Sequence, residues 1–430
     1  MSKRNFILLI IIIIVAIMAF LGFLYFRQST PTSEEDTGGT NFVSQFNPFG
    51  NNKPETPANT TPPVDVSGYQ PPIEGVNFKL KKISSMPIAG FAVYQKERLK
   101  ETTKGTEFAP TLRYVARATG NVYQTFADRI EERKFSATVI PMVYEAFFGN
   151  KGDSVVMRYL KTDAKTIVTF VGTLPKELLG TNPTTSNEIK GIFLPEDIKD
   201  LSLSSDTLGL FYLFGSGDNV IGTTLNLKTN KKVQVFDSPF TEWLSLFPNN
   251  KMVTLTTKPA FRTPGYMYAL DPNSKIYNFH QVLGKINGLT TLTSPDGKLV
   301  LYSDDGLSLG IYHLDTKVSD SLGVRTLSEK CVWNKTSEII YCAVPKLIDV
   351  GQYPNSWYQG EVSFSDQIWK IDIKTGNATI IANPSITSES ASPSQGGEDI
   401  DSIKLMLDDG ENYLFFVNKK DSFLWELNLK

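Results

Sequence analysis

The amino-acid sequence predicts an all-β fold, a seven-bladed β-propeller of four-stranded blades, preceded by a single transmembrane helix and a flexible linker. Three observations lead to this fold. The chain starts with a long uncharged apolar run, a stretch rich in Pro, Thr and Asn follows, and beyond Gly75 short hydrophobic runs alternate with turn residues. Such runs, without an apolar stripe at helical spacing, are typical of β-strands. The predicted domains are an anchor at 1–27, a linker at 28–75 and a propeller at 76–430.

The apolar run from Phe6 to Phe26 predicts a helix that crosses a membrane. It carries no charge and is long enough to span a hydrocarbon core of about 30 Å. Lys3 and Arg4 precede it and an acidic stretch follows from Glu34, so the positive-inside rule places the N-terminus in the cytoplasm. A cleaved signal peptide is the alternative, but the run exceeds the usual apolar region of roughly 7 to 15 residues. We expect a single-pass protein of the cell membrane with an extracytoplasmic propeller.

A repeated unit sets the blade length. The stretch TSPDGKLVLYSDDG, residues 293–306, joins a turn to a hydrophobic strand, and the strand after it places an aromatic, one residue, an aliphatic and Asp in order. A similar order recurs around Tyr268, Trp369 and Trp425, each time after a polar turn and a hydrophobic strand. The unit therefore holds four strands in roughly 45 to 55 residues, which is the period of a propeller blade.

This period divides the chain into seven blades. In blade one, RYVARATGNVYQTF fits the second and third strands better than the third and fourth, which is the alternative register. The chain ends at Lys430 without a fourth strand for blade seven. We predict that residues 78–84 supply that strand, because an unpaired edge would keep the ring from closing. Blades two to seven are predicted to start near Ile140, Asp197, Phe240, Lys285, Leu327 and Asp399.

The SPDGK turn, the hydrophobic strand that ends in Tyr and the aromatic-x-aliphatic-Asp strand resemble the WD40-like repeat of TolB-type propellers. They also resemble the propeller of prolyl-oligopeptidase-type peptidases. Only residues 291–322 of blade five match in full. The resemblance implies a propeller and carries no catalytic residue. The sequence lacks both the Gly-x-Ser-x-Gly elbow of the peptidases and the helical N-terminal domain of the TolB type.

Residues suited to catalysis or metal binding are sparse. The 43 Lys and Arg against 45 Asp and Glu give a net charge of -2, which argues against a nucleic-acid partner. His280 and His313 stand apart in different blades, so structural roles are expected for both. Acidic stretches such as SSDTLGLF, residues 204–211, are predicted to be turns. We therefore predict no catalytic residue, no metal and no cofactor.

The two cysteines fit the same repeat. The stretch CVWNKTSEIIYC places Cys331 and Cys342 on the first two strands of blade six, on either side of a turn. Cysteines that face each other across a hairpin lie near the separation of a disulfide, and an extracytoplasmic location permits oxidation. We predict a disulfide, with two buried thiols as the alternative.

Long loops indicate where a ligand would bind. The loop between the second and third strands of a blade and the connection to the next blade emerge on one face. Three insertions fall there, at 258–265, 344–365 and 385–399. They hold five residues of the kinds found at binding hot spots: Phe261, Arg262, Tyr353, Trp357 and Tyr358. The alternative is that these rings pack back onto their own blade and hold a long loop in place.

The sequence thus favours a non-catalytic binding or scaffold module of the cell envelope, with a protein, peptide or glycan as its partner. The alternative is a hydrolase or lyase with its active site in the funnel of the propeller. Carboxylates and arginines converging at the funnel mouth would favour the enzyme, whereas a neutral plug would favour the binding module.

Overall fold

The computed structural model of the protein describes residues 80–100, 105–129, 131–175, 188–274, 278–386 and 398–430. All of them belong to one compact unit, Val66–Lys430. The predicted anchor and linker, residues 1–75, lie outside the described residues. Within the described ranges, no helix has both the length and the apolar character needed to cross a membrane.

Seven four-stranded antiparallel sheets form the propeller, as predicted. The strands of blades one to three are β2 (Ile88–Leu99), β3 (Thr106–Ala116), β4 (Val122–Phe126) and β5 (Arg133–Lys134); β6 (Val143–Gly149), β7 (Ser154–Leu160), β8 (Ile167–Thr173) and β9 (Lys190–Phe193); β10 (Asp200–Leu203), β11 (Gly209–Ser216), β12 (Asn219–Asn226) and β13 (Lys232–Ser238). Strand β1 (Leu80–Lys82) precedes them in the chain and belongs to blade seven.

The strands of blades four to seven are β14 (Trp243–Asn249), β15 (Met252–Thr257), β16 (Pro264–Leu270) and β17 (His280–Asn287); β18 (Thr290–Thr293), β19 (Leu299–Ser303), β20 (Ser308–His313) and β21 (Ser319–Arg325); β22 (Cys331–Trp333), β23 (Ile339–Pro345), β24 (Asp366–Asp372) and β25 (Ala378–Ala382); β28 (Ser402–Leu407), β29 (Tyr413–Asn418) and β30 (Leu424–Asn428). A short pair, β26 (Ser385–Ile386) and β27 (Glu398–Asp399), joins blades six and seven. Helix α1 (Asn355–Tyr358) lies in the long loop of blade six, and 3₁₀ turns cover Asn150–Gly152 and Ser328–Lys330.

The predicted blade frame is confirmed. Each blade starts within a few residues of its predicted position, and Tyr268, Trp369 and Trp425 all lie on third strands. In blade one, β3 and β4 are the second and third strands, which is the favoured register. The first strand of each blade lines the central channel, because the blades of a propeller radiate from it.

The hydrophobic core lies between neighbouring blades. Val156 of blade two packs with Leu210 and Leu225 of blade three in one buried cluster. Phe211 of blade three packs with Val253 of blade four in the next. Apolar residues on both faces of the second strands make this possible, since each blade is covered on two sides. The core therefore fixes the angle at which adjacent blades meet.

Ser and Asp side chains shape the turns between first and second strands. In blade five, the Ser294 hydroxyl donates to Asp296 (2.6 Å) and accepts from the Leu299 amide (3.0 Å). In blade three, Ser204 makes the same pair of contacts with Asp206 and the Gly209 amide. The stretch SSDTLGLF is thus a turn, as predicted, and its Asp is occupied in holding the backbone.

Strand β1 closes the ring by completing blade seven. Leu80 pairs with Leu427 and Lys82 with Trp425, so β1 runs antiparallel to β30. The chain then turns inward, where the Ile83 amide donates to the Leu424 carbonyl (2.8 Å) and Ile83 is buried. This confirms the predicted closure, and it places the start of β1 at the end of blade seven that is remote from the second-to-third-strand loop.

Blade six carries the disulfide between Cys331 and Cys342. The two residues are direct partners in the β22–β23 ladder, and their sulfur atoms are 2.15 Å apart. Both residues are buried in the cluster between blades five and six, against Leu301 and Ile371.

Removing residues 76–84 should lower the free energy of unfolding far more than removing residues 28–75. The first deletion leaves β30 with an unpaired edge and exposes the cluster around Ile83, whereas the second removes a stretch rich in Pro, Thr and Asn that is too polar to bury a core. Urea denaturation of both truncated proteins and of the full chain measures the difference. Equal loss in the two deletions would contradict closure by β1.

Candidate functional site

The loop-rich face of the propeller carries the second-to-third-strand loops and the blade-to-blade connections. The loop at 258–263 joins β15 to β16, the loop at 346–365 joins β23 to β24, and the connection at 383–401 joins blades six and seven. The first two loops meet, because the Phe261 amide donates to the Asn355 side chain at 2.7 Å. The first two insertions thus lie on one face, as predicted; most of the third, residues 387–397, falls outside the described residues.

The five aromatic and arginine positions predicted on these loops divide into two groups. Tyr353 and Trp357 are buried, with 4% and 5% of their surface exposed, and they pack with Phe364. For these two rings the structure matches the alternative in which they hold their own loop in place. Tyr358 and Arg262 reach the surface, and Phe261 is half-buried with the Arg262 guanidinium 5.0 Å from its ring.

A buried ionic cluster anchors the long loop of blade six. We call Lys330, Asp366 and Asp401 the lysine cluster; all three side chains are fully buried. The ammonium donates to Asp366 Oδ2 (2.9 Å) and to Asp401 Oδ1 (2.5 Å). The other oxygen of Asp401 accepts from the Trp357 indole and from the Phe364 amide, both at 3.0 Å. Because the donors come from blade six and its loop while Asp401 precedes blade seven, the cluster fixes the loop against two blades.

Lys330 and Asp401 are the two members of the lysine cluster whose pKa values shift in the direction that favours the charged form. Burial works to lower the pKa of Lys330, but Asp366 and Asp401 outweigh it and the pKa is raised. Burial works in the opposite direction on Asp401, and Lys330 with the donors of the loop holds the pKa of that carboxyl below its usual range. Burial raises the pKa of Asp366 to about 6 against the pull of Lys330. The loop therefore rests on a compensated ion pair.

A second charged group lines the channel at the loop-rich face. We call Glu145, Asp200 and Lys404 the funnel site; they lie on β6, β10 and β28, the innermost strands of three blades. Lys404 donates to the Ala89 carbonyl of blade one at 3.2 Å. The charge of Glu145 raises the pKa values of both Asp200 and Lys404, so the three groups are near enough to interact. Residues remote in the sequence thus converge at the funnel mouth.

Each member of the funnel site has a fixed surrounding. Arg158 donates to Glu145 at 2.6 Å and to the Ile198 carbonyl at 2.7 Å, so the carboxylate is paired. Asp200 Oδ2 accepts from the amide and the hydroxyl of Ser245, the latter at 2.7 Å. Each of these bonds joins two strands or two blades. The groups are therefore preorganised, and little movement is needed to meet a ligand.

Desolvation shifts the pKa values of Asp200 and Lys404 toward neutral pH. Burial raises the pKa of Asp200 to about 6; Ser245 and Arg158 oppose this shift, and Glu145 adds to it. Lys404 is exposed, yet the protein around it disfavours the charged amine and lowers its pKa; Glu145 opposes this and Arg117 reinforces it. An acid and an amine with such shifts are the kinds of group that cluster at functional sites.

A further acid, Glu329, lies in the 3₁₀ turn Ser328–Lys330 and contacts Tyr358 at the end of helix α1. Glu329 precedes β22, and burial raises its pKa to about 7 against the pull of Tyr358, Lys330 and Lys419. One of its carboxylate oxygens is buried without a hydrogen-bond partner. Lys419 lies 4.4 Å from the Trp357 ring. The half of the mouth near blades six and seven is thus built from Glu329, Tyr358 and Lys419.

The histidines lie away from this site. His280 is on the outer strand β17, and His313 on β20 lies 3.1 Å from Asp320. Throughout the described part of the chain, no group of three or more His, Cys, Asp or Glu residues is placed to hold a metal ion.

The sequence did not point to Glu145, Asp200, Lys404 or Glu329. Each is a single charged residue at the start of an innermost strand, without a motif around it. The signal that was available is positional, because the predicted blade frame puts all four near the same end of the channel.

Comparison with known proteins gives a similarity of fold alone. No family model matches the chain. No curated protein matches it either. Among solved structures, an oligogalacturonate lyase in complex with manganese matches with a TM-score of 0.49 and 10% identity, over 80% of this chain and 99% of the other. An oligogalacturonate lyase from Vibrio parahaemolyticus matches with a TM-score of 0.48 and 8% identity, over the same shares of the two chains. At this level of similarity no residue role is transferred.

Lys330→Met should lower the free energy of unfolding by about 3–5 kcal/mol, because it leaves Asp401 charged and buried without its cation. The matched control is Lys335→Met, which removes an exposed ion pair to Asp409 (2.6 Å) and should cost less than about 1 kcal/mol. Urea denaturation gives both values. Similar values for the two variants would contradict an anchoring role for the lysine cluster.

Asp200→Asn should flatten the pH dependence of stability between about pH 4 and 6. In the folded wild type the pKa is about 6 against an ordinary 3.8, so the unfolded state loses its proton first and stability falls as pH rises through this window. The loss, up to about 3 kcal/mol at roughly 1.4 kcal/mol per unit, is absent in the variant, whose amide oxygen still accepts from Ser245.

Denaturation in urea at pH 4, 5, 6 and 7 measures this effect. Asp163→Asn is the control: that carboxyl is exposed and its pKa is lowered to about 2 by Thr166 and the Lys165 amide, so it titrates below the window. An Asp200→Asn profile parallel to that of the wild type would show that the carboxyl is not protonated in the fold.

Proposed function

We propose that this protein is a membrane-tethered, extracytoplasmic β-propeller that binds a polar ligand at the mouth of its central channel on the loop-rich face. One observation carries the proposal: Glu145, Asp200 and Lys404 come from the innermost strands of three blades, and each is fixed by its own partner, which is Arg158, Ser245 or the Ala89 carbonyl. A protein segment, a peptide or a glycan is the ligand class that such mixed charges and hydrogen-bonding groups suit.

The surroundings of the funnel site favour tight and selective binding. Charges that are partly enclosed by protein interact more strongly than charges in water, because the effective dielectric constant is lower. Bonds between strands of one blade or between two blades fix the positions of both carboxyls before a ligand arrives, so binding costs little conformational entropy. Tyr358, Phe261 and Arg262 add an amphipathic rim, whereas Tyr353 and Trp357 support that rim from behind.

The proposed tether is compatible with access to the funnel. The apolar segment 6–26, with Lys3 and Arg4 before it, is the basis for the anchor. The first described residue, Leu80, pairs with Leu427 near the end of β30. That end of the strand is remote from the β29–β30 loop, so Leu80 lies opposite the loop-rich face. The propeller is thus entered by the chain on the side away from the funnel mouth.

A second candidate function is hydrolysis or elimination in the funnel. The pKa values of Asp200 and Glu329, raised to about 6 and 7 by burial, lie in the range in which a carboxyl serves as general acid or base near neutral pH. The lowered pKa of Lys404 makes its amine a further candidate base. The pKa shifts of Asp200, Glu329 and Lys404 also suit a site that binds a charged ligand without reacting with it, and we keep binding as the leading proposal.

Lys404→Met should weaken ligand binding at least tenfold, because it removes the amine of the funnel site. The fold should stay intact, because the side chain is exposed and Met has a similar length. The probes are an array of neutral and acidic oligosaccharides and an array of synthetic peptides with free carboxyl termini. The control is Lys228→Met, an exposed lysine between β12 and β13 at the opposite end of the blade. Equal binding by wild type and Lys404→Met on every probe would overturn the proposal.

The same mixtures separate binding from catalysis. If new reducing ends or new amino termini appear with the wild type and are lost in Asp200→Asn, the protein is an enzyme. If probes are bound and recovered intact, it is a binding module.

A further inference from the structure

An apolar groove lies on the loop-rich face between blades one and two. Its volume is about 550 Å³, within the range of roughly 300–1,000 Å³ typical of ligand pockets. Its walls come from the connection into blade one, the β3–β4 loop, the start of β6 and the facing ends of β7 and β8. Tyr144 lines the groove and its neighbour Glu145 belongs to the funnel site, so the two features are adjacent.

The groove wall is suited to apolar side chains. Met86, Tyr123, Met142, Leu160 and Ile167 line it. Met142 is half-exposed at 51%, and its backbone is held in the left-handed region with φ of 58°. A methionine side chain adapts its shape to different partners, and here it is exposed in the groove instead of being packed in the core. A glycan would lose hydration of its hydroxyls against such a wall, so the lining favours a peptide.

One cation marks the end of the groove. Among the described residues that line it, Arg117 is the only charged one. Its side chain is exposed and donates one bond, from Nη1 to the Ser422 hydroxyl at 2.8 Å. A guanidinium has five N–H donors, so several are available for a ligand. Glu145, which follows the groove residue Tyr144 in the chain, is paired with Arg158. An anionic group is therefore the complement.

We propose that this groove binds the carboxy-terminal residues of a partner peptide, with apolar side chains along the wall and the terminal carboxylate at Arg117. A guanidinium holds a carboxylate through two parallel hydrogen bonds, which is the geometry for recognising a chain end. This inference rests on the proposed function, in which the loop-rich face binds a ligand, and narrows the ligand class to a peptide with a free carboxyl terminus.

The test uses the full chain in lipid nanodiscs and a pool of biotinylated peptides whose last three residues are randomised. One pool ends in a free carboxylate and a matched pool ends in an amide. We expect the free-acid pool alone to yield bound peptides, at least tenfold enriched in Leu, Ile, Met or Phe at the final positions by mass spectrometry. No enrichment, or the same enrichment from the amide pool, would overturn the proposal.

Two pairs of variants locate the binding. Ala118→Trp, at an exposed groove position, should reduce retention at least tenfold, whereas Lys228→Trp at the opposite end of a blade should not. Arg117→Ala should abolish the preference for acid over amide, whereas Ser422→Ala, which removes only the hydroxyl that Arg117 contacts, should keep it. Thermal unfolding of each variant shows whether it is folded. Retention unchanged by Ala118→Trp would exclude the groove.

Further outcomes separate this proposal from related ones. If dodecanoate competes at the same concentration as the best peptide, the groove binds lipid, and the proposal of a peptide ligand is overturned. Binding that Lys404→Met removes but Ala118→Trp does not would retain the funnel proposal and refute the groove. Binding that neither variant affects would refute both.

Discussion

Closure of the ring by strand β1 is the interaction on which the rest of the molecule depends. Blade seven ends at β30, and only the pairing of Leu80–Lys82 with its outer edge completes the sheet. Innermost strands of different blades have few direct hydrogen bonds to one another, so their spacing is set by the packing between blades around a closed circle. An open ring would leave blades one and seven free to separate. Lys404 of blade seven reaches the Ala89 carbonyl of blade one across this junction, so the funnel site exists only when the ring is closed.

Within the closed ring, polar groups are used where a loop or a strand end must be held in a definite place. The lysine cluster secures the long loop of blade six, and its Trp357 and Phe364 join an ionic network to a hydrophobic one. Burying three ionisable groups costs desolvation energy, and paired charges with many hydrogen bonds offset that cost without a large net gain. What the cluster provides is a fixed position of the loop, which keeps Tyr358 in contact with Glu329 at the rim of the channel.

The loop-rich face therefore combines two chemically different surfaces. The funnel site presents two carboxyls and an amine in a partly enclosed setting, and the groove between blades one and two presents apolar walls that end at Arg117. A ligand with an apolar part and a charged end would contact both. The propeller supplies such composite surfaces readily, since adjacent innermost strands and loops derive from different blades and each contributes only one or two residues.

The sequence alone determined the blade count, the approximate start of each blade and the need for an outside strand to finish blade seven. These features depend on local patterns: the alternation of hydrophobic runs and turns, the repeated aromatic strand, and the turn residues Ser294 and Asp296. It also identified the loop-rich face, because loop lengths are visible in the chain. Tertiary structure alone decided that Tyr353 and Trp357 point inward, and that Glu145, Asp200 and Lys404 meet. The reason is physical. A ring brings together residues as far apart in the chain as Leu80 and Leu427, and no local pattern records which of many single charges will share one channel.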